Sequence, residues 1–231
     1  MDFTTLKLAH QKTLDRIQAA CQAAQRDPET VALLAVSKTR DAEAVEALAT
    51  LGQRAFGENY VSEGVGKIQA LANPDLIWHF IGPIQSNKTK LLAEHFDWVQ
   101  TVDRLKLVKR LNDQRPSSAP QLNVLIQVNL DGEEQKAGCA PSEIADLAQA
   151  IHQAPRLRLR GLMAIPAVRQ ALHQQRAVFA DLKAHFDQLQ TQYPHIDTLS
   201  AGMSNDMEAA IAEGANLVRV GTALFGPRQK A

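Results

Sequence analysis

The sequence predicts an α/β protein folded as a single (β/α)8 barrel of the TIM type, with one extra helix at its N-terminus. Three observations favour this class. The chain has 231 residues, and α/β barrels often run to about 200–250 residues as one domain. Eight short apolar runs alternate with longer stretches that have helical spacing. Runs such as VALLAV are apolar throughout, which is typical of parallel strands covered on both faces. An open doubly wound sheet is the alternative that this pattern leaves open.

The eight apolar runs are the predicted strands of the barrel. They cover residues 31–36, 53–56, 77–81, 98–102, 122–129, 157–165, 196–199 and 217–220. The chain contains no internal repeat, low-complexity segment or linker. Residues 1–231 are therefore predicted to form one domain.

Helical spacing is clearest in four segments. An amphipathic stretch before the first strand predicts the extra helix, and Asp27-Pro28 would end it because the residue before a proline avoids the helical region. Pro141 suits the first turn of a later helix, where Glu143 would lie near the positive end of the helix dipole. The four apolar faces are Leu14, Ile17, Cys21 and Ala24; Val45, Leu48 and Ala49; Ile144, Leu147, Ala148 and Ile151; and Phe179, Leu182, Phe186 and Leu189.

Composition and charge exclude several classes of function. The chain has 25 Lys and Arg against 25 Asp and Glu, and its basic residues are scattered. We therefore expect neither a nucleic-acid partner nor a membrane partner. The apolar runs are too short to cross a bilayer, and the first residues lack the apolar region of a secretory signal. Cys21 and Cys139 match no metal or redox spacing. We expect a cytoplasmic protein with reduced thiols and no metal site.

Lys38 is the first candidate for chemistry. It follows VALLAVS directly, so its ammonium group would emerge where a buried strand ends. Side chains at the carboxyl-terminal ends of barrel strands converge on the active mouth. Apolar surroundings lower the pKa of a lysine from about 10.4, which is what an imine-forming lysine requires. A lysine that only reaches from a strand end to water is the alternative interpretation.

The last two strands are followed by segments that suit a phosphate group. After the strand at 196–199 comes SAGMSND, with Ser200 and Ser204. A helix is predicted to start near Ser204 or Asn205, and Asn205 with Glu208 has the form of its N-terminal cap. The strand at 217–220 runs into Gly221 and Thr222. Glycine lets the backbone approach a ligand closely, and threonine offers a hydroxyl. Barrels frequently bind phosphate through these two loops. Ordinary capping and turn formation are the alternative roles.

Further candidates lie at other strand ends. Arg219 interrupts an apolar strand, and an arginine that faces a barrel interior must find an acceptor, because its charge cannot be shed. A pyridine nitrogen or a carboxylate of the barrel floor could serve. Asn59, Tyr60 and His79 could contact a ring or its hydroxyl, and Met163 ends the sixth strand. Core or capping roles are equally open for each of them. No nucleotide-binding, zinc-protease or nucleophile-elbow motif is present, so no catalytic residue is assigned.

Six segments together resemble a known family. LLAVSKT, FGENYVSEG, WHFIGPIQSNK, LRGLMAIP, LSAGMSNDMEAAI and VRVGTALFG occur in this order between about residues 31 and 226. They resemble the YggS, or pyridoxal 5′-phosphate (PLP) homeostasis, family of PLP-binding proteins. Because several of these strings are long and have little reason to occur together otherwise, the resemblance is specific.

The resemblance implies a barrel like the N-terminal domain of alanine racemase, with PLP as its cofactor. It implies an imine between PLP and Lys38 and a position for Arg219 beside the pyridine nitrogen, with Asn59 near the cofactor. It also implies phosphate contacts from the two loops that follow the last strands, through Ser200, Ser204, Gly221 and Thr222. An arginine at the pyridine nitrogen leaves that nitrogen unprotonated, so the ring is a weaker electron sink and transamination or decarboxylation is disfavoured.

Three functions remain open at this point. Racemases of this barrel class carry a further β-domain that supplies a second acid or base, and the chain ends five residues after Gly226, so we expect that domain to be absent. This favours a monomeric carrier or buffer of PLP that supplies apo-enzymes, over catalysis. A PLP-dependent amino-acid racemase is the second hypothesis. The third is a barrel enzyme that acts on a sugar phosphate, with Lys38 forming an imine to the substrate.

Overall fold

A closed barrel of eight parallel strands forms the centre of the protein, in a computed structural model that describes residues 2–133 and 137–226. Each strand pairs with the next one along the chain, and the last strand closes the barrel by pairing with the first. The strands are β1 (Ala32–Val36), β2 (Ala55–Glu58), β3 (Ile77–Phe80), β4 (Trp98–Val102), β5 (Leu122–Val128), β6 (Leu157–Ala164), β7 (Thr198–Ser200) and β8 (Leu217–Val220). Every predicted run overlaps its strand, and the closed order confirms the barrel and excludes the open sheet.

Helices follow the strands and cover the outside of the barrel. They are α1 (Phe3–Ala23), α2 (Ala42–Thr50), α3 (Val61–Leu71), α4 (Thr89–His95), α5 (Leu105–Gln114), α6 (Ile144–His152), α7 (Leu172–Gln192), α8 (Met207–Ala212) and α9 (Thr222–Phe225). The predicted apolar faces of α6 and α7 are fully buried. Burial of a side chain such as Phe179 or Leu182 contributes about 1.5–3 kcal/mol. Pro141 begins a short 3-10 turn that leads into α6, and Glu143 accepts the amide of Ala140 at 2.8 Å.

The inward face of the extra helix α1 agrees with the predicted one only in part, since Ile17 and Cys21 are buried as predicted. Leu14 is exposed rather than buried, and the helix ends at Ala23, before the predicted stop at Asp27-Pro28. The inward face includes polar residues because Thr13 satisfies its hydroxyl internally, donating to the Ala9 carbonyl at 2.8 Å. This face packs against α8 and α9. Its buried residues are Leu6, His10, Thr13, Ile17, Ala20 and Cys21.

The strands divide their side chains between two layers. On β8, Val218 and Val220 belong to the apolar core between barrel and helices, whereas Leu217 packs in a separate cluster with Leu34 of β1. Residues two apart on a strand share a face. Arg219 therefore lies on the same side as Leu217, inside the barrel, as the sequence predicted. It is only 3% exposed.

A bulge in β6 sets the position of Arg160. Leu159 lies opposite Val124, but the next pair is Leu125 with Gly161, so Arg160 is the extra residue. Gly161 has a φ of 144°, and a Cβ there would lie 2.0 Å from the Thr198 carbonyl oxygen. Glycine is therefore required at this point.

Over the part of the chain that the structure describes, no helix is both long and apolar enough to cross a membrane. The same residues contain no cluster of three or more side chains suited to a metal ion. Both cysteines are buried free thiols. Burial raises the pKa of Cys21, and it raises the pKa of Cys139 to about 12.

Candidate functional site

A cavity of about 320 Å³ opens at the carboxyl-terminal end of the strands. This volume falls in the range of small-molecule sites, about 300–1,000 Å³, and barrels place their active sites at this end. The structure brings six of the nine predicted site residues together around it. They are Lys38, Asn59, Ser204, Arg219, Gly221 and Thr222.

Most of the charged side chains that line the cavity are basic. Lys38, Arg40, Arg169 and Arg219 line it, with Asp206 as the acidic lining residue within the described ranges, and Arg169 is paired with Asp131. Burial raises the pKa of the Asp206 carboxyl, although its hydrogen bond from the Met203 amide, at 2.6 Å, and the charge of Arg219 oppose this. An anion in the cavity is thus met mainly by cations. This is the electrostatic environment that a phosphate group needs.

Lys38 lies just beyond the end of β1, at the edge of the cavity. The residues on either side of it are held by hydrogen bonds to side chains of β2 and α3. The Ser37 hydroxyl donates to Glu58 Oε1 at 2.6 Å. The Thr39 amide donates to Glu63 Oε1, also at 2.6 Å, and Thr39 has a left-handed φ of 63°. The segment that presents Lys38 is therefore fixed on both sides.

Asn59 offers an acceptor on the cavity wall. Its Oδ1 atom is buried and has no hydrogen-bond partner among the described residues. Such an atom costs free energy unless a ligand or water donates to it. Gly82 lets the chain pass close to this residue, because a Cβ on Gly82 would lie 2.1 Å from the Asn59 carbonyl oxygen.

The loop between β7 and α8 forms the side of the cavity nearest to α1. Arg16 of α1 donates to the Ser204 carbonyl at 2.9 Å and to Glu208 Oε1 at 2.8 Å. The predicted cap of α8 is wrong: the helix begins at Met207, and Asp206 rather than Asn205 occupies the capping position. The reason is that residues 204–206 form a turn before the helix. Their polar groups line the cavity and do not cap the first turn of α8.

Arg219 is fixed by two hydrogen bonds inside the barrel. Its Nη1 donates to Ser200 Oγ at 2.7 Å and its Nη2 to the Ala164 carbonyl at 2.8 Å. Burial lowers the pKa of Arg219 to about 10, so the guanidinium remains charged at neutral pH. The Asp206 carboxyl and the Arg219 guanidinium attract each other, but the two groups are too far apart to form an ion pair.

A series of hydrogen bonds leads from Arg219 to His79, and in each of them the residue nearer to Arg219 is the donor. A guanidinium only donates, so the Ser200 oxygen accepts from Arg219, and its hydroxyl donates to Gln100 Oε1 at 2.7 Å. The Gln100 amide nitrogen must then donate to His79 Nδ1, 2.9 Å away. This chain assigns the neutral imidazole, with its proton on Nε2. Burial, together with the charge of Arg160, lowers the pKa of His79 to about 3.

Three of the predicted site residues do not line the cavity. Ser200 is fully buried, and its hydroxyl accepts from Arg219 and donates to Gln100, so in this structure it supports Arg219, and the phosphate contact stays a prediction. His79 lies deeper, stacked on Trp98 with ring centroids 4.9 Å apart. Met163 is also fully buried in the barrel. All three are buried beneath the residues that line the cavity.

The structure adds candidate site residues that the sequence pattern did not indicate. Glu58 and Lys67 lie beneath the Lys38 segment, and Arg169 and Asp206 line the cavity. Lys67 carried a usable signal, because a lysine that occupies the inward face of a helix among apolar residues needs a buried partner. Arg169 carried none, since it lies in an irregular loop.

Comparison with known proteins matches the chain to one family. The family model for the alanine racemase N-terminal domain matches residues 13–229. A pyridoxal phosphate homeostasis protein from Escherichia coli K12 is 56% identical over 217 residues, which are 93% of each chain.

Two solved structures are also similar over nearly the whole chain. PipY from Synechococcus elongatus, determined with PLP bound, is 36% identical and has a TM-score of 0.78, covering 92% of this chain and 100% of PipY. A protein of unknown function from Bifidobacterium adolescentis is 33% identical with a TM-score of 0.91, and the match covers 97% of both chains.

Proposed function

This chain belongs to the family of pyridoxal phosphate homeostasis proteins, and we propose that it binds PLP in the cavity at the barrel mouth as part of PLP homeostasis in the cell. The observation that carries the proposal is the convergence of Lys38, Arg219 and the loops after β7 and β8 on one cavity. The relative from Escherichia coli bears that name, and PipY was determined with PLP bound.

The residues present fit PLP. The orphaned Oδ1 of Asn59 requires a donor, which a ring hydroxyl can supply. The mainly basic lining suits a phosphate, and the buried guanidinium of Arg219 suits an aromatic nitrogen that accepts a hydrogen bond. When bound, PLP supplies an aldehyde that condenses with an amine.

We assign Lys38 as the amine in that condensation. Its Nζ would supply the nucleophile for the aldehyde of PLP, with the aldehyde oxygen lost as water. The hydrogen bonds to Ser37 and Thr39 support this role, since they restrict the backbone on both sides of the lysine. The covalent imine on Lys38 is thus part of the proposal.

At the other end of the cavity, Ser204, Gly221 and Thr222 would hold the phosphate. The Ser204 hydroxyl and the backbone around Gly221 are neutral donors, and the cationic lining supplies the charge. Arg219 would donate to the pyridine nitrogen. Because Arg219 stays charged at neutral pH, that nitrogen would remain an unprotonated acceptor, which weakens the ring as an electron sink.

These assignments support holding and release of PLP rather than turnover. We propose that residues 1–231 act as one PLP-binding barrel domain in the cytoplasm, that the protein is a monomer, and that apo-enzymes dependent on PLP are its partners. The two buried free thiols suit a reducing compartment.

The first test is an absorbance spectrum of the purified protein with PLP, followed by borohydride reduction and peptide mass mapping. We expect an imine band and a pyridoxyl adduct on the peptide that contains Lys38. Lys38→Met should abolish both, and Lys109→Met, which changes a lysine whose side chain is 78% exposed, should abolish neither. An adduct spread over surface lysines would refute the proposal.

A second measurement separates a carrier from an enzyme. Holo-protein is mixed with an apo-enzyme that requires PLP, and the recovery of enzyme activity is compared with that given by the Lys38→Met variant. Faster recovery with the unaltered protein supports the carrier. Incubation with L-amino acids in deuterium oxide tests the racemase-like alternative, which α-proton exchange above that of free PLP would support.

A further inference from the structure

A buried ion cluster joins α3 to the segment that carries Lys38. Lys67 of α3 is only 5% exposed. Its ammonium group donates to Glu58 Oε1 at 2.8 Å, to Glu63 Oε1 at 2.7 Å and to the Ser37 carbonyl at 2.7 Å. An ammonium has three donors, so each N–H of Lys67 has one acceptor here.

The same two carboxylates bind the residues next to Lys38. Glu58 Oε1 accepts the Ser37 hydroxyl, and Glu63 Oε1 accepts the Thr39 amide, both at 2.6 Å. The left-handed φ of Thr39, 63°, is unfavourable for a β-branched residue. The hydrogen bond to Glu63 compensates for that conformation, and Lys67 holds Glu63 in place.

Stability alone does not explain the cluster. Glu58 is fully buried, and this burial raises the pKa of its carboxyl although Lys67 and Ser37 oppose the shift. Its second oxygen, Oε2, has no hydrogen-bond partner within the described ranges. Burying charges in this way often gives no net stabilisation over apolar residues of the same volume. A buried polar cluster that bonds to both neighbours of one lysine points to a function at that lysine.

We propose that Lys67 is a positioning residue for Lys38. It fixes the carbonyl of Ser37 directly and the amide of Thr39 through Glu63, and so sets the direction in which the Lys38 side chain leaves the backbone. The inference rests on the proposed imine at Lys38. Misplacing a reacting atom by about 1 Å can cost roughly a hundredfold in rate. Lys67→Met should therefore slow imine formation with PLP at least about tenfold.

The experiment compares Lys67→Met with Arg115→Met, a matched control. Arg115 is also a buried cation, 5% exposed, but it donates to the carbonyls of Ala93, Phe96 and Pro120 at the opposite end of the barrel. Two quantities are measured for each variant. Stopped-flow absorbance gives the rate of imine formation, and calorimetry gives the affinity for pyridoxine 5′-phosphate, which has the ring and phosphate but no aldehyde.

In Lys67→Met we expect slow imine formation with affinity for pyridoxine 5′-phosphate within about twofold of the unaltered protein. Arg115→Met should change neither. Equal rates in Lys67→Met and the unaltered protein would overturn the inference, as would a parallel loss of both quantities in Lys67→Met. If the unaltered protein forms no imine on Lys38, the proposed function itself fails, and the two failures are thereby distinguished.

Glu63→Ala keeps the inference testable if Lys67→Met does not fold. The Glu63 side chain is 27% exposed, so its removal is tolerated more easily. It deletes the acceptor of the Thr39 amide, and hydrogen exchange in the peptide that spans Thr39 should become faster. We expect imine formation to slow about threefold or more. Faster exchange with an unchanged imine rate would also overturn the inference.

Discussion

Replacement of Ser200 by alanine distinguishes a phosphate contact from a support for Arg219. The sequence motif suggested that Ser200 contacts phosphate directly, whereas in the structure its hydroxyl lies between Arg219 Nη1 and Gln100 Oε1, 2.7 Å from each. If the hydroxyl is a support, its loss weakens the protein even without PLP. If it is a phosphate contact, the PLP-free protein should hardly change.

The size of the effect follows from the two hydrogen bonds. The hydrogen bond that Ser200 accepts from the charged Arg219 contributes about 1.5–3 kcal/mol. The side-chain carbonyl of Gln100, left without its donor, costs about 1–3 kcal/mol. Arg219 keeps its bond to the Ala164 carbonyl, so the two contributions do not simply add. We expect the free energy of unfolding of the PLP-free protein to fall by about 3 kcal/mol.

Equilibrium unfolding in urea, followed by fluorescence of Trp78 and Trp98, measures this quantity directly. Ser204→Ala is the matched control, because Ser204 lines the cavity and its hydroxyl has only a long contact, 3.4 Å, with the Ala223 amide. That variant should lose at most about 0.5 kcal/mol of stability and should bind PLP about tenfold more weakly.

The opposite pattern would refute the reasoning. If PLP-free Ser200→Ala is as stable as the unaltered protein but binds PLP more weakly than Ser204→Ala does, Ser200 is a direct phosphate ligand. The one-directional chain from Arg219 to His79 would then be incorrect.

Three further predictions concern other parts of the site. The pKa of His79 is lowered to about 3 in the folded protein, so below its ordinary value of 6.5 the unfolded chain binds a proton that the folded one does not. The stabilising contribution of neutral His79 is therefore fully present above pH 6.5 and is lost as pH falls, by about 2 kcal/mol at pH 5. Urea titrations of His79→Asn at pH 5 and above pH 6.5 should not show this loss. Arg16→Ala releases the Ser204 carbonyl and should weaken PLP binding roughly threefold by calorimetry, while the melting temperature changes little. Gly82→Ala would place a Cβ 2.1 Å from the Asn59 carbonyl oxygen; it should lower the free energy of unfolding by about 1–3 kcal/mol and weaken PLP binding.

Each of these has an outcome that contradicts it. An unchanged loss of stability at low pH in His79→Asn would show that other groups cause it. Arg176→Ala removes an ion pair with Glu213 on the outer surface; equal loss of PLP affinity in this variant and in Arg16→Ala would deny Arg16 a specific role. Gly66→Ala adds a Cβ that meets no atom within 4 Å, so a cost equal to that of Gly82→Ala would rule out the steric reason.

The fold was predictable because its signals are local. A buried parallel strand needs a continuous apolar run, and a covering helix needs an apolar face, so the strands β4 and β8 and the inward faces of α6 and α7 agree with the sequence pattern. The inward face of α1 was predicted only in part: Ile17 and Cys21 are buried, but Thr13 also lies inward because it satisfies its hydroxyl within the helix. Periodicity of apolar residues cannot register such a position.

For the candidate site, the sequence by itself determined which strand ends carry polar residues, and this was enough to predict that Lys38, Arg219 and Gly221 meet at one cavity. Parallel strands in a barrel end at the same mouth, so no further information was needed. Only the tertiary structure decided the layer in which each side chain lies. Ser200 ends its strand as the motif required, yet it supports Arg219 from below the cavity. Lys67 acts on a segment 30 residues earlier in the chain. Strand tilt, register and the packing of helix on strand place these groups, and none of the three is encoded in the order of neighbouring residues.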